Sequence, residues 1–384
     1  MVPFLMGLGV DLYVPSLPQI ALYFRSIDSL VQLTVSLYLL GYGIGQIILG
    51  VLSDSFGRRK ILLISSIGFS LVSLISIFSP NLMILEVSRF LQGICVAGLA
   101  VVARAMIVDV FSGVELSKLS NYFTLSWSLG PIIAPFMGGI LAKYFGWKAN
   151  FYLFFIYGLV VFIYSVIKFK ETNLNLSEFN IKKSIRDISK ISTDRLFVFI
   201  TIISALGYAA IVLFNTVGPF IIETSLKYSV ESYGNIAMFL GCAYFCGAMT
   251  NRFVITKFNS NKLLIFGIIS AIMGSFIMLI VFFIFNLNLL AVLIPIFLIF
   301  YCIGFIVPNA LAKTMSMFSD NAGLASAVFG TITGIITFFI TMYGGKLNSS
   351  NQFQLCLTYL ILFLISLVIF FITYKIEKRR NLGR

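Results

Sequence analysis

Histidine is absent from the 384 residues, and only 11% of them are charged. Without histidine there is no imidazole to complete a metal site or to act as a general base. The five cysteines, Cys95, Cys242, Cys246, Cys302 and Cys356, all fall within apolar runs. Only Cys242 and Cys246 are helical neighbours, so the group reads as small buried hydrophobes rather than as a metal or disulfide framework. Soluble domains carry about 25% charged residues, and a chain this poor in charge cannot cover an apolar interior with polar surface. No basic segment precedes the apolar run that begins at Val2, so a cleaved signal peptide is not expected; a start site placed too far downstream would give the same beginning.

What is present is apolar. Hydrophobic residues make up 59% of the chain, and the mean hydropathy is +1.03. A bilayer-spanning helix needs about 20 largely apolar residues. Twelve such runs are predicted, over 2–24, 30–53, 61–79, 82–107, 119–143, 149–168, 196–222, 233–256, 263–285, 289–312, 322–345 and 353–374. Helices are expected because lipid offers no partner to an unpaired backbone group, and the runs are twice the length of a barrel strand.

The formal charge of +13 does not point to nucleic acid, because the basic residues sit in short gaps between the apolar runs. With the N-terminus in the cytoplasm, 20 lysines and arginines fall on the cytoplasmic side and 5 outside, with Arg89 and Arg104 inside the fourth span completing the 27. That asymmetry predicts cytoplasmic termini. The longest polar stretch, from Lys170 to Asp194, divides the chain into six spans plus six. The expected organisation is a six-helix bundle over 1–168, a cytoplasmic linker over 169–195, a second bundle over 196–375 and a basic cytoplasmic tail over 376–384. Ile181, Ile185, Ile188 and Ile191 recur within the linker at helical spacing, which fits a helix lying on the lipid surface; a flexible linker fits equally. The halves of many transporters are repeats. Here Gly50, Asp54, Arg58 and Lys60 after the second span are echoed faintly by Gly247, Arg252, Lys257 and Lys262 after the eighth, with no acid.

Charge inside a span is costly, about 3 kcal/mol at the centre, and so calls for a use. Asp11 falls about 14 Å into the first span, near the midplane of a ~30 Å core. Pro15 and Pro18 follow on its face and weaken or bend the rest of that span. The competing reading is a carboxylate permanently paired to a neighbouring helix. Arg89 lies about 10 Å into the fourth span, with Gln92 and Gly93 a turn further on. It can hold a carboxylate or organise water, and the structural alternative is pairing with Glu86. Arg104 and Asp109 at the end of the fourth span, with Asp54 and Arg58 at the end of the second, can form one charge network; lipid headgroup contact accounts for Arg58, Arg59 and Lys60 as well. The fifth span holds Gly130, Pro131, Pro135, Gly138 and Gly139, residues that remove backbone donors and allow close helix approach. Pro219, closing Asn215-Thr-Val-Gly-Pro219-Phe220, allows the seventh span to bend.

These motifs resemble a known family. Gly50-Val-Leu-Ser-Asp54-Ser-Phe-Gly57-Arg58-Arg59-Lys60 is similar to the loop signature of the major facilitator superfamily, in its expected place between the second and third spans. Arg89-Phe-Leu-Gln92-Gly93 resembles that family's fourth-helix motif, and the Gly130–Gly139 stretch its antiporter motif. Asp11-Leu-Tyr13-Val-Pro15-Ser-Leu-Pro18, Ala103-Arg104-Ala-Met-Ile-Val-Asp109, Pro308-Asn309-Ala310 and Ala322-Gly323-Leu-Ala-Ser-Ala327 resemble its Bcr/CflA drug-resistance branch. The resemblance implies an all-α fold of twelve spans in two halves in the bacterial inner membrane. It also implies alternating access and proton-coupled export of small amphipathic compounds, without a cofactor. By that resemblance Asp11 is the proton carrier and Arg89 its helper, while Asp54, Gly57, Arg58, Arg59, Arg104 and Asp109 form a cytoplasmic gating network. Tyr13, Tyr38, Gln92 and Asn215 are the candidate cavity residues. With almost no charge in the spans of the second half, coupling is expected to rest on the first. Expected partners are a small-molecule substrate, protons and lipid, with no nucleic acid and a monomeric state. An exporter of an endogenous metabolite, such as an amino acid or siderophore, fits the same residues. An importer is disfavoured by the fifth-span motif. An enzyme is disfavoured by the lack of histidine and of paired deep carboxylates, and a channel by the lone deep acid and the two-half organisation.

Overall fold

The structure is a computed structural model, and it describes residues 2–173, 181–285, 287–318 and 321–382. Every regular element in it is helical. The first span is broken: α1 (Val2–Asp11) is followed by a single 3-10 turn (Val14–Ser16) and then α2 (Leu17–Phe24). The break follows from sequence, since Pro15 and Pro18 each fall at the start of the element they enter, where a missing N–H costs least.

The rest of the first half comprises α3 (Asp28–Phe56), α4 (Arg58–Ile77), α5 (Leu82–Val110), α6 (Gly113–Phe145) and α7 (Lys148–Lys168). A linking helix, α8 (Ile181–Ser192), leads to α9 (Arg195–Pro219), which continues as a π-helical stretch over Phe220–Ser225. Then come α10 (Val230–Val254), α11 (Ser260–Ile284), α12 (Leu289–Met317), α13 (Ala322–Gly344) and α14 (Phe353–Leu382). Each expected span coincides with one of these helices. Ten of the helices are long and apolar enough to cross a membrane. Of the other two long ones, α6 is apolar over Leu129–Phe145, and α6 and α10 pack against each other. Large apolar side chains such as Ile64, Met83 and Phe283 point outward, as a lipid-facing surface requires.

Two seams join the halves. Along the first, α3 lies against α13. Ser36 and Thr341 hydroxyls are 2.8 Å apart, Thr331 donates to the carbonyl of Gly43 at 2.6 Å, and a Cβ on Gly334 would lie 2.7 Å from the Gly43 Cα. Along the second, α6 lies against α10, where a Cβ on Gly139 would lie 2.9 Å from the carbonyl oxygen of Val230 and one on Gly234 2.6 Å from that of Pro135. At the end of this seam Lys143 forms an ion pair with Glu231. We call the side where α1 starts and α14 ends the terminal face; Lys143 and Glu231 lie at the opposite, far face.

The segments between and after the bundles are helical. Residues 181–192 form a helix with one side against the second half. Ile188 and the buried Ile191 pack with Phe197, Ala325 and Val328 beneath the second half, while Ile185 is exposed. The first turn of this helix has side chains outside the described residues, Ile181, Lys182 and Lys183 among them. Residues 376–382, expected as a tail, continue α14.

Candidate functional site

The last residue of α1 is Asp11, and the break that follows lets its side chain reach the other half. Asn215 Nδ2, on α9, donates to Asp11 Oδ1 at 2.7 Å. Asp11 is buried, and among the described residues it is in no ion pair. It lines a cavity whose walls come from both halves: Pro131, Ile132 and Pro135 of α6 on one side, and Tyr208, Ile211, Val212, Asn215, Ala237, Gly241, Tyr244 and Phe300 on the other. A carboxylate in such surroundings carries charge at a high cost, which proton uptake, a cationic partner or further hydrogen bonds can relieve.

Arg89 is fully buried beside this cavity but not bonded to Asp11. Its Nη1 donates to Gln92 Oε1 at 2.7 Å and its Nη2 to the carbonyl oxygen of Gly9 at 2.9 Å. Gln92 in turn donates to Ser73 Oγ at 2.8 Å. The guanidinium lies between two tyrosine rings, 4.1 Å from the centroid of Tyr13 and 4.3 Å from that of Tyr38. A desolvated cation over an aromatic face gains about 2 kcal/mol, and this sandwich replaces the carboxylate partner expected from sequence. Glu86 makes no ion pair with Arg89. Of the four residues expected in the cavity, Asn215 lines it, whereas Tyr13, Tyr38 and Gln92 form the cage of Arg89. Tyr13 is held there by Thr34, hydroxyl to hydroxyl, at 2.9 Å.

The glycines and prolines of α6 divide by direction. A Cβ on Gly130 would lie 2.4 Å from the Gly7 Cα, and one on Gly138 only 1.7 Å from the carbonyl oxygen of Leu12. These two therefore let α6 press on α1 beside Asp11. Gly139 faces α10 instead, and Pro131 and Pro135 form cavity wall.

At the terminal face the expected charge network splits in two. Arg58 bonds to Ser53 at 2.7 Å, to Asp109 at 3.2 Å and to Asp54 in an ion pair. All of these lie within the first half. Arg104 is not among them: it bonds to its own helix at Ala100, to Gln46 at 3.3 Å and, across to α13, to Ser326. Arg59 turns the other way, its Nε donating to the carbonyl of Phe169 at 2.7 Å.

Glu171, just beyond α7, was not singled out from sequence. It accepts from the backbone N–H of Arg58 at 2.9 Å and of Arg59 at 3.1 Å, capping α4, and from the N–H of Thr172 and Asn173 on its own segment. Gly57, at φ +99°, makes the turn that exposes those N–H groups. The second half repeats the arrangement with different chemistry. Asn251 follows Gly247 by four residues as Asp54 follows Gly50, and it accepts from Asn309 at 2.6 Å. Glu377, near the end of α14, accepts from Lys313 at 2.6 Å and from Asn261, in the first turn of α11, at 3.0 Å. The acid missing from the sequence echo thus arrives from the last helix.

Known proteins are similar to this chain along most of its length. The family model described as "Major Facilitator Superfamily" matches residues 1–341. An uncharacterized MFS-type transporter, YdgK, of Bacillus subtilis is 30% identical over 341 residues, covering 85% of this chain and 82% of that one. A bicyclomycin resistance protein homolog of Haemophilus influenzae is 36% identical over 152 residues, 40% of this chain and 38% of its own. The inward-open xylose transporter XylE of Escherichia coli superposes with a TM-score of 0.75 at 16% identity, over 97% of this chain and 94% of its own, a likeness of fold. The chain is therefore a multi-pass membrane transporter, not an enzyme, of the kind that in bacteria lies in the inner membrane, and it is a member of the Major Facilitator Superfamily.

Proposed function

We propose that the protein exports small amphipathic compounds in exchange for protons by alternating access, with its terminal face in the cytoplasm. The observation that carries this reading is Asp11: a buried acid in a cavity walled by both halves, held by one hydrogen bond to the opposite half and by no ion pair. When the cavity faces outward Asp11 takes up a proton; when it faces the cytoplasm the proton leaves and cargo binds. Opposition between the two ligands is a coupling free energy and acts in both directions. One proton moving inward contributes about 2.3 kcal/mol per 100 mV and about 1.4 kcal/mol per pH unit, enough to sustain a large concentration ratio. The cavity's aromatic and aliphatic lining suits an amphipathic cargo, and the Haemophilus relative, named for bicyclomycin resistance, supports a drug-like class. The lysine and arginine bias of the loops supports the orientation.

The test uses purified protein in liposomes with an imposed proton gradient and an internal pH dye. Bicyclomycin, amphipathic dyes and amino acids are added in turn, with wild type and Asp11→Asn in parallel. Compound-dependent proton flux that is lost in Asp11→Asn is expected, and the compound that elicits it separates drug from metabolite export. Flux that survives in Asp11→Asn removes Asp11 from the coupling step, and the absence of flux with every compound removes proton exchange.

A further inference from the structure

One acidic residue of the second half lies inside a membrane helix and has no role so far. Glu223 sits in the π-helical stretch that ends the α9 span, one residue from the exposed Thr224 at the far face. Its residue is partly buried, and its Oε1 is buried without a hydrogen-bond partner among the described residues. The local winding has a cause. Pro219 has no N–H to offer the carbonyl of Asn215 four residues earlier, so the regular ladder fails there and resumes as a π-helix. Such wide turns occur mostly as single bulges, frequently at functional sites.

A second orphan lies on the neighbouring helix. The hydroxyl of Tyr233, on α10, is fully buried and has no partner among the described residues. Buried polar atoms are almost always bonded, so two unpaired ones on adjacent elements need a reason. The helix that carries Tyr233 packs against both irregular segments: the 3-10 turn that follows Asp11 and the π-helix that carries Glu223. Tyr233 lies within electrostatic range of both carboxylates. Among the described residues no lysine or arginine forms an ion pair with Glu223. From α10, Glu231 is taken by Lys143; Lys227, after the π-helix, and Arg25, after α2, are exposed and form no ion pair with it among the described residues. Tyr359, on α14, also lies within electrostatic range of Tyr233. Lys346, in the loop whose Ser349 carbonyl accepts from Ser225, is exposed and forms no ion pair with Glu223 among the described residues, and Tyr23 and Tyr228 are the further titratable side chains at this end.

The geometry points to Glu223 as a second proton-binding group, one that takes protons from the far face and passes them through the Tyr233 hydroxyl to Asp11. The Tyr233 hydroxyl is hydrogen-bonded to neither carboxylate in this conformation, so the step belongs to a conformation in which water or a side-chain movement bridges the gaps. There protonated Glu223 gives its proton toward the Tyr233 oxygen as that hydroxyl releases its own toward the Asp11 carboxylate. Glu223 ends ionised, Asp11 ends neutral and Tyr233 is unchanged. The inference rests on the reading of Asp11 as a proton carrier and extends the coupling path into the half that had no part in it.

Infrared difference spectra of the purified full chain in liposomes, recorded after an acid jump on the far-face side, test this without any transported compound. Two carboxylic acid bands are expected, one lost in Asp11→Asn and the other in Glu223→Gln. In Glu223→Gln and in Tyr233→Phe the Asp11 band should rise at least about tenfold more slowly, with thermal stability of each variant checked in parallel. Glu223→Asp keeps the acid and should restore part of the rate. An unchanged Asp11 rate in Glu223→Gln overturns the relay while leaving Asp11 as carrier. An unchanged rate in Tyr233→Phe overturns the route through the hydroxyl. If no band responds to Asp11→Asn, the carrier assignment falls and the relay with it.

Discussion

A Cβ placed on Gly57 would lie 2.5 Å from the Oε2 of Glu171, the oxygen that accepts from the N–H of Arg59. The turn between α3 and α4 is thus shaped around a carboxylate that comes from beyond α7. With φ at +99°, Gly57 occupies a region nearly closed to other residues. Gly57→Ala should cost about 1–3 kcal/mol, read as a lowered thermal midpoint in detergent. In the double variant with Glu171→Ala the steric part disappears and the backbone strain stays, so the combined loss should be smaller than the sum.

The same carboxylate makes a pH prediction. Partial burial alone would raise the Glu171 carboxyl, but the backbone N–H groups of Asn173, Arg58, Arg59 and Thr172 outweigh it and hold the group below its ordinary value of 4.5. A carboxyl depressed by folding stabilises above its unfolded pKa and loses that contribution as pH falls through the folded one. The stability gap between wild type and Glu171→Gln should therefore be constant at neutral pH and shrink only in acid, below about pH 4.5. Thermal midpoints measured across the acid range would show it, and a gap that closes near neutrality would refute the capping role.

Arg89 should depend on the faces of its two tyrosines more than on their hydroxyls. Tyr38→Phe keeps the ring at its 4.3 Å stacking distance and should leave stability nearly unchanged. Tyr38→Leu removes one side of the sandwich and should cost about 2 kcal/mol. Arg89→Lys keeps the charge, loses the planar stack, and should behave like Tyr38→Leu. Midpoints for the three variants decide it, and equal losses for Phe and Leu at Tyr38 would place the effect in the hydroxyl.

The 2.8 Å approach of Ser36 and Thr341 allows a covalent test of seam movement. In a background freed of native cysteines (Cys242 and Cys246 are exposed and would interfere) the pair Ser36→Cys and Thr341→Cys should oxidise readily. The crosslinked protein should stop transporting and recover with reductant. Undiminished transport by fully crosslinked protein would mean that α3 and α13 do not part here during the cycle.

The Lys143–Glu231 pair joins the halves at the far face with both side chains partly in solvent. Such pairs contribute at most about 1 kcal/mol and are screened by salt. Lys143→Glu should favour opening of the far face, measured by spin-label distances across the α6–α10 seam. The reversed pair, Lys143→Glu with Glu231→Lys, should return the distances to those of the wild type.

The helices were legible because each apolar run is bounded by charge or proline, and lipid leaves the backbone no alternative. Asp11 and Arg89 were legible for the opposite reason, as charges where charge is costly. What could not be read was direction. Sequence placed Asp11 and Arg89 both deep within spans, but only the break after Asp11 turns its carboxylate toward Asn215, 204 positions away, while Arg89 is held by two rings and a carbonyl. Tyr13, Tyr38 and Gln92 carried no mark to distinguish a cage from a cavity wall. Arg104 sat five residues from Asp109 and was grouped with it, yet more than a full helical turn separates the two and Arg104 reaches α13 instead. Glu171 and Glu377 were invisible because each bonds to the start of a helix more than a hundred positions away in the chain. Glu223 fell one residue beyond the expected end of its span; the π-helix carries it inside.

The pairing of Glu377 with Lys313 and Asn261, and of Arg380 with Asp194 at 3.0 Å, bears on how the molecule is handled. Truncating at residue 375, or fusing a reporter there, would cut the last helix, strand Lys313 without its counter-ion and release the residue that caps α9 from its guanidinium. An affinity handle belongs after Leu382. Activity lost on shortening this end would reflect a loosened second half, not the removal of a passive extension.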